Sequence, residues 1–210
     1  MIEAKIKGIF QTPIYSTKLK NDFPEEVLSF IINNKIDTQL NIDSRSIKGN
    51  SISSNKYILN EEIFKDLKKE LELIEKDYFD KVICAADDII PYITQSWINY
   101  TELNQNHHEH CHSNSCVSGV VYINCHETLD KISFINHKYD MLRVGKKANI
   151  FNSNIFTLPV KKNEVILFPS QLSHWVPNTE GPNTRISLSF NTFMKGTLGD
   201  YTEATELILK

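Results

Sequence analysis

The second half of the chain is divided into short β-prone runs, and this spacing is the strongest constraint on what it can fold into. After Pro91 each run is bounded by turn residues and is too short for a helix of ordinary length. The runs are YITQSWINY, SCVSGVVYIN, KISFIN, EVILFPS, HWVPN and RISLSFNTF. Such a series predicts a β-sandwich or barrel. With 40% hydrophobic residues among 210, the chain can bury one sizeable core.

The part of the chain before these runs has a different pattern, because helical periodicity appears there in two places. Pro24, followed by Glu25 and Glu26, suits the start of a short helix. Asn60 is expected to cap a longer helix, whose apolar residues repeat at spacings of three and four: Ile63, Phe64, Leu67, Leu71, Ile74, Tyr78 and Val82. Helices first and strands later predict an α+β domain.

The chain is predicted to form a single domain over residues 1–210. Its parts are peripheral strands and covering helices over residues 1–90, a β core over residues 91–195 and a C-terminal helix over residues 196–210. The β-prone runs 6–10 and 14–19 predict the peripheral strands. The stretch from Asp37 to Asn55 is rich in Ser and Asn and has no period, so we expect a long exposed loop that could serve as a lid.

Charge and composition exclude several classes of function. The net charge is −3 and the lysines are scattered among acidic residues, so the chain has no basic surface for nucleic acid or anionic lipid. No apolar run approaches the length of a membrane span, and the first residues lack the pattern of a signal peptide. We therefore expect a cytoplasmic protein whose four cysteines are reduced.

The chemistry-bearing feature is the run HHEHCH at residues 107–112, followed much later by an isolated His174. Imidazole is a common metal ligand, so the run predicts a metal site. His108, Glu109 and His112 spell H-E-x-x-H, which in zinc proteases requires a helix. Polar Asn and Ser residues flank the run, and a strand is the better assignment. In a strand, His108, His110 and His112 would share one face.

Other interpretations of the run stay open at this point. A surface histidine tract can bind metal adventitiously. A structural zinc site could include Cys111, Cys116 and Cys125, although these lack paired C-x-x-C spacing. If the run were helical, a zinc hydrolase could take Glu127 as its third ligand. A non-catalytic, cupin-like metal-binding module is the remaining alternative.

Three blocks between Trp97 and Phe193 resemble the iron(II)- and 2-oxoglutarate-dependent dioxygenases, in particular a prolyl-hydroxylase-like branch found in bacteria and phages. The blocks are HCHSNSCVSGVVYIN, NEVILFPSQLSHWVPN and RISLSFNTF. The family has H-x-D or H-x-H before a strand, then a late histidine, then an arginine. The resemblance implies a double-stranded β-helix, a jelly-roll or cupin-like barrel, for residues 91–195. It also implies the cytoplasm of a bacterium or of a phage-infected host.

The resemblance further implies which residues form the site. His110, His112 and His174 would hold iron(II), and His112 stands where most of the family has Asp; His108 with His110 is the competing pair. The resemblance assigns the distal carboxylate of 2-oxoglutarate to a set of three residues: Arg185, Tyr122 and Ser187. A forked guanidinium suits a carboxylate.

The implied reaction is hydroxylation of a substrate by O2, coupled to oxidative decarboxylation of 2-oxoglutarate. The substrate is not identified by the sequence. The prolyl-hydroxylase resemblance brings in a protein or peptide side chain as one class, and a small molecule or a sugar stays open.

Overall fold

Antiparallel sheets dominate this chain in a computed structural model, which describes residues 3, 5–35, 49–137, 147 and 149–210. Within these ranges the strands are β1 (Tyr15–Lys18), β2 (Ser51–Ile52), β3 (Ile90–Thr101), β4 (His107–His110), β5 (Val117–Asn124), β6 (Lys131–Ile135), β7 (Ile155–Pro159), β8 (Glu164–Pro169), β9 (Ser173–Val176), β10 (Arg185–Leu198) and β11 (Leu207–Leu209). The helices are α1 (Glu25–Asn33) and α2 (Lys65–Tyr78), with 3₁₀ turns at Ile58–Asn60 and Glu62–Phe64 and a π-helical turn at Phe79–Ile83.

The strands form two sheets. The larger has the order β1–β8–β5–β10–β3–β2, with β11 paired to β10, and the smaller has the order β4–β9–β6–β7. Each pairing of named strands is antiparallel. This arrangement is jelly-roll-like, and it confirms the prediction of a β-rich second half.

Alternation along the central strands divides the core into two layers. On β5, Val120 and Tyr122 pack with Phe134 of the smaller sheet, so this layer lies between the sheets. Val121 and Ile123, the alternate residues, face the other side of the larger sheet. Because both faces of β5 are buried, its residues 120–123 form a continuous apolar run.

The helices contribute to the second layer. Val27 and Ile31 of α1 and Leu71 and Tyr78 of α2 are buried in the same cluster as Val121 and its neighbours on the larger sheet. The hydroxyl of Tyr100 on β3 donates a 2.6 Å hydrogen bond to the Ile31 carbonyl. The helices therefore bury their apolar faces on the side of the larger sheet opposite the smaller one.

The start of the longer helix differs from the prediction. The helix begins at Lys65 rather than after Asn60, and its N-cap residue is Phe64. The Asn60 side chain is exposed and accepts a hydrogen bond from Lys68 at 2.9 Å instead of capping the helix. Burial of Ile58 and Leu59 holds this segment in 3₁₀ turns before the helix starts.

The prediction of a C-terminal helix over residues 196–210 is wrong. β10 continues to Leu198, and Leu207–Leu209 returns as β11, pairing with Gly196–Leu198. The Asp200 side chain accepts hydrogen bonds from the backbone N–H of Thr202 and Glu203, which forms the turn. The end of β10 offers backbone N–H and C=O groups to the C-terminal segment. Hydrogen bonding to these groups outweighs the weak local helical preference of that segment.

The loop predicted from Asp37 to Asn55 is only partly described, since residues 36–48 lie outside the described ranges. Its last part is largely buried: Asn50 and Ser53 are buried, and Ser51–Ile52 pairs with β3. Residues 14–19 contain β1 as predicted, whereas residues 6–10 form no strand and Phe10 is exposed.

Among the described residues, no helix is both long and apolar enough to cross a membrane.

Candidate functional site

An irregularity in β4 decides which histidines face the interior. His107 pairs with Val176 and His110 with His174, so three steps along β4 match two steps along β9. This mismatch is a β-bulge, and it brings residues three apart onto one side of the strand. His107 and His110 both line the cavity between the sheets. His108 is exposed and is not among the residues that line this cavity, so the prediction that it projects into one site together with His110 and His112 is wrong for the cavity.

The extended conformation of the histidine run also contradicts the zinc-protease interpretation. Residues 107–110 are extended, so His108 and His112 cannot stand one turn apart on a helix as H-E-x-x-H chemistry requires. Glu127, the residue suggested as third ligand, is exposed. Among the described residues, the potential metal-binding groups contain no cysteine, which also leaves the thiol-zinc interpretation without support.

Three histidines from two distant parts of the chain meet in this cavity. His110 lies on β4, His112 follows it, and His174 comes from the neighbouring β9. One nitrogen from each lies within 4.8 Å of the others. The ring centroids are 4.3 Å apart for His110 and His174, and 5.1 Å apart for each of the other two pairs. These are the three residues that the family resemblance implies as ligands.

Backbone carbonyls set the tautomer of two of these rings. Nδ1 of His110 lies 2.8 Å from the His108 carbonyl oxygen, and Nδ1 of His174 lies 2.9 Å from that of Leu172. A carbonyl only accepts, so each Nδ1 carries the proton and donates it. Each Nε2 is then unprotonated, and its lone pair is available to bind a metal.

The third ring is oriented by side chains of the larger sheet. Nδ1 of His112 is hydrogen-bonded to Oδ1 of Asn191, on β10, and lies 3.0 Å from Oγ of Ser118, on β5. An Nδ1–H donated to the Asn191 oxygen leaves Nε2 of His112 available as well. Trp97 packs against this ring at a centroid distance of 5.7 Å.

Burial keeps the three imidazoles neutral. It lowers the pKa of His110 to about 4 and the pKa of His174 to about 3, and neighbouring histidines add to both effects. Burial also lowers the pKa of His112, although its bond to Asn191 opposes the shift. Neutral imidazole is the ligating form. The residues present therefore fit a divalent metal held by three nitrogens, with no carboxylate among the three.

A buried arginine shares the cavity with the histidines. Arg185, the first residue of β10, is 3% exposed, and its guanidinium carbon lies 5.2 Å from the centroid of the Tyr122 ring. Within the described part of the chain, Nε of Arg185 has no hydrogen-bond partner. A buried guanidinium nitrogen without a partner is costly, which points to an anionic ligand at this position. Ser187, paired in register with Tyr122, lines the same cavity.

The cavity is lined by residues from the histidines to Arg185. Several of its lining residues were not anticipated from the sequence: Asn50, Trp97, Asn99, His107, Ser118 and Ser189. Ser189 was accessible to sequence reasoning, because alternation on β10 places Arg185, Ser187, Ser189 and Asn191 on one face. Asn50 had no comparable signal, because β2 is only two residues long.

Residues 95–191 match the protein family described as "Putative 2OG-Fe(II) oxygenase". The matched segment runs from within β3 to within β10 and contains the three histidines, Arg185, Tyr122 and Ser187. None of the curated proteins matches this chain.

Solved structures resemble this fold at low sequence identity. A Pseudomonas putida prolyl-4-hydroxylase is 12% identical with a TM-score of 0.51, covering 86% of this chain and 92% of its own. HygX from Streptomyces hygroscopicus, solved with nickel, 2-oxoglutarate and hygromycin B, is 11% identical with a TM-score of 0.55, covering 86% and 82%. The viral collagen prolyl hydroxylase of Paramecium Bursaria Chlorella virus-1 is 10% identical with a TM-score of 0.50, covering 85% and 94%. At these identities the likeness is one of fold.

Proposed function

We propose that this chain, whose residues 95–191 match the 2OG-Fe(II) oxygenase family, is a hydroxylase that holds iron(II) on His110, His112 and His174. The observation that carries this proposal is the common cavity of the three neutral imidazoles and the buried Arg185. Three facial nitrogen ligands leave coordination positions open, which oxygenase chemistry requires. With a carboxylate absent from the triad, we expect iron to be held less tightly than in the family's usual site.

Arg185 is the proposed partner of 2-oxoglutarate. Its guanidinium can form two parallel hydrogen bonds to the distal carboxylate, and the buried site strengthens them. Ser187 supplies a hydroxyl on the same strand, and the Tyr122 ring lies with its centroid 5.2 Å from the guanidinium carbon. These three residues form the anion-binding end of the cavity, and the histidines form the metal-binding end.

The bound iron and 2-oxoglutarate would supply the oxidising chemistry, with O2 as the proposed co-reactant. The chain positions these groups and limits access of water to them. Phe168 packs against His174 at a centroid distance of 4.7 Å, which shields the apolar side of the ligands. Asn191 and Ser118 hold the His112 ring in one orientation, so its nitrogen meets the metal without reorganising.

The substrate is proposed only at the level of its class. A protein or peptide side chain fits the prolyl-hydroxylase resemblance, and a small molecule or sugar is the alternative. Asn50, Asn99 and Trp97 line the same cavity, and we expect a substrate to contact these side chains. The cytoplasmic location stays a prediction.

Anaerobic titration of apo-protein with iron(II) and 2-oxoglutarate tests the proposal. Chelation of the keto acid to iron gives a weak visible charge-transfer band, and we expect it in the wild type. Arg185→Ala should require at least about tenfold more 2-oxoglutarate, because a buried charge-assisted pair contributes roughly 1.5–3 kcal/mol. Lys195→Ala removes an exposed cation from the same strand and serves as the matched control.

The outcomes separate the alternatives. A band that weakens in Arg185→Ala but not in Lys195→Ala supports the oxygenase site. Metal binding with no band at any concentration of 2-oxoglutarate would instead favour a cupin-like binding module.

A further inference from the structure

We infer that β4 provides a second metal position, formed by His107, His108 and His110, which overlaps the proposed iron site and competes with it. One nitrogen from each of these residues lies within 4.8 Å of the others, as in the first group. We call this set the outer triad, and His110, His112 and His174 the inner triad. The inference rests on the geometry of β4 and does not require that the inner metal be iron or that 2-oxoglutarate bind.

The bulge in β4 creates the outer triad. In a regular strand His107 and His108 would point to opposite faces, and His107 and His110 would also be on opposite faces. Here the ring centroids of His107 and His110 are 4.4 Å apart and nearly parallel, and that of His108 lies 5.1 Å from His107 and 5.2 Å from His110. The extra residue therefore gathers three imidazoles within four consecutive positions.

The two triads share His110, so they cannot be filled together. Nδ1 of His110 is engaged by the His108 carbonyl, which leaves one nitrogen of the ring for a metal. An ion in the outer position takes that nitrogen and leaves the inner position with only His112 and His174. Occupation of the outer triad should therefore weaken the inner site.

The chemistry of the outer triad suits borderline metals such as zinc, nickel and copper. All three ligands are imidazoles, and such ions bind this donor set well. His108 is exposed and His107 and His110 are half-buried, so the outer position faces solvent more than the inner one does. We expect it to bind more weakly, because the exposed His108 ring loses more freedom when it is held.

Nickel titration of apo-protein by calorimetry tests this inference in five variants and the wild type. His112→Ala and His174→Ala each remove the inner triad and should still bind one nickel ion. The double variant His108→Ala/His112→Ala should bind nickel at least about a hundredfold more weakly than His112→Ala. It lacks a direct ligand of the outer triad, and loss even of a group that hydrogen-bonds to a ligand costs up to about 100-fold in metal affinity. His108→Ala alone should keep the inner affinity. His126→Ala, a histidine outside both triads, is the control, and circular dichroism checks the fold.

Two results would contradict the inference. Equal nickel affinity in His112→Ala and His108→Ala/His112→Ala would overturn it. Two ions bound at once in the wild type would overturn the competition between the triads. Failure of the proposed oxygenase function would look different, since the charge-transfer band would then be absent in wild type and in His108→Ala alike while the nickel results stand.

Discussion

At the scale of single residues, Asn191 orients one of the proposed metal ligands, His112. Its Oδ1 accepts a hydrogen bond from Nδ1–H of His112 and a 3.2 Å hydrogen bond from the Ser118 hydroxyl. Asn191→Ala should weaken metal binding roughly 10- to 100-fold, because the ring is then free to rotate or to protonate the wrong nitrogen. Calorimetry with nickel measures the change.

Asn191→Asp is the informative comparison for this residue. It keeps an oxygen that accepts from Nδ1 and adds a negative charge near the metal, so metal affinity should be retained. Equal loss in both variants would show that the residue acts through packing rather than through its hydrogen bond to His112.

Gly119 is a second residue whose identity matters, because the Phe190 ring packs closely against its Cα. A Cβ at this position would lie 2.1 Å from Cζ of Phe190, whose side chain is fully buried. Gly119→Ala should lower the free energy of unfolding by about 1–3 kcal/mol through overpacking. Urea denaturation measures it. Because Phe190→Leu creates space, the double variant should lose less stability than the sum of the two single ones; strict additivity would contradict the proposed clash.

At the scale of elements, Glu75 joins α2 to β10. It is 1% exposed, accepts a hydrogen bond from the Thr192 hydroxyl, and within the described residues its Oε2 has no partner. Burial raises its pKa from 4.5 to about 8, with Glu72 adding to the shift and the Thr192 bond opposing it. The folded state therefore binds this proton more tightly than the unfolded state does.

The raised pKa of Glu75 predicts a pH-dependent stability. The contribution of Glu75 to the free energy of unfolding is fully present below its unfolded pKa of 4.5. This contribution is lost as the pH rises towards the folded pKa of about 8. Relative to Glu75→Gln, the wild type should lose roughly 1.4 kcal/mol per pH unit in that window. Urea denaturation at pH 5, 6, 7 and 8 checks it. Parallel stability profiles for the two proteins would refute this account of Glu75.

At the scale of the whole molecule, the site draws on both sheets. His110 and His174 lie on the smaller sheet, whereas Arg185 and Asn191 lie on β10 of the larger one. Metal and 2-oxoglutarate bound together would thus hold the sheets to each other. By mass action, ligand at a hundredfold excess over its Kd adds about 2.7 kcal/mol to stability.

Removal of the metal tests this coupling. Chelator should lower the melting temperature of the loaded wild type to that of the apo-protein, while His174→Ala should show a much smaller change, since it lacks an inner ligand. A chelator effect of the same size in His174→Ala would mean that the stabilising metal binds outside the inner triad.

Local patterns in the sequence predicted the parts of this protein that depend on neighbours along the chain. Short β-prone runs, the start of α1 at Pro24 and the metal-binding character of the histidine run were all readable, because turn chemistry, helix capping and imidazole chemistry act over a few residues. The family resemblance then pointed to the residues that the structure brings into one cavity, His110, His112, His174 and Arg185 among them.

Tertiary structure decided whatever depends on pairing between distant segments. The β4 bulge exists only relative to β9, so strand alternation alone selected His108 for the interior where the structure has His107. The end of β10 likewise converted an amphipathic C-terminal segment into β11. Both follow from one physical reason: a backbone that can hydrogen-bond to a neighbouring strand gains more from that pairing than its weak local preference provides.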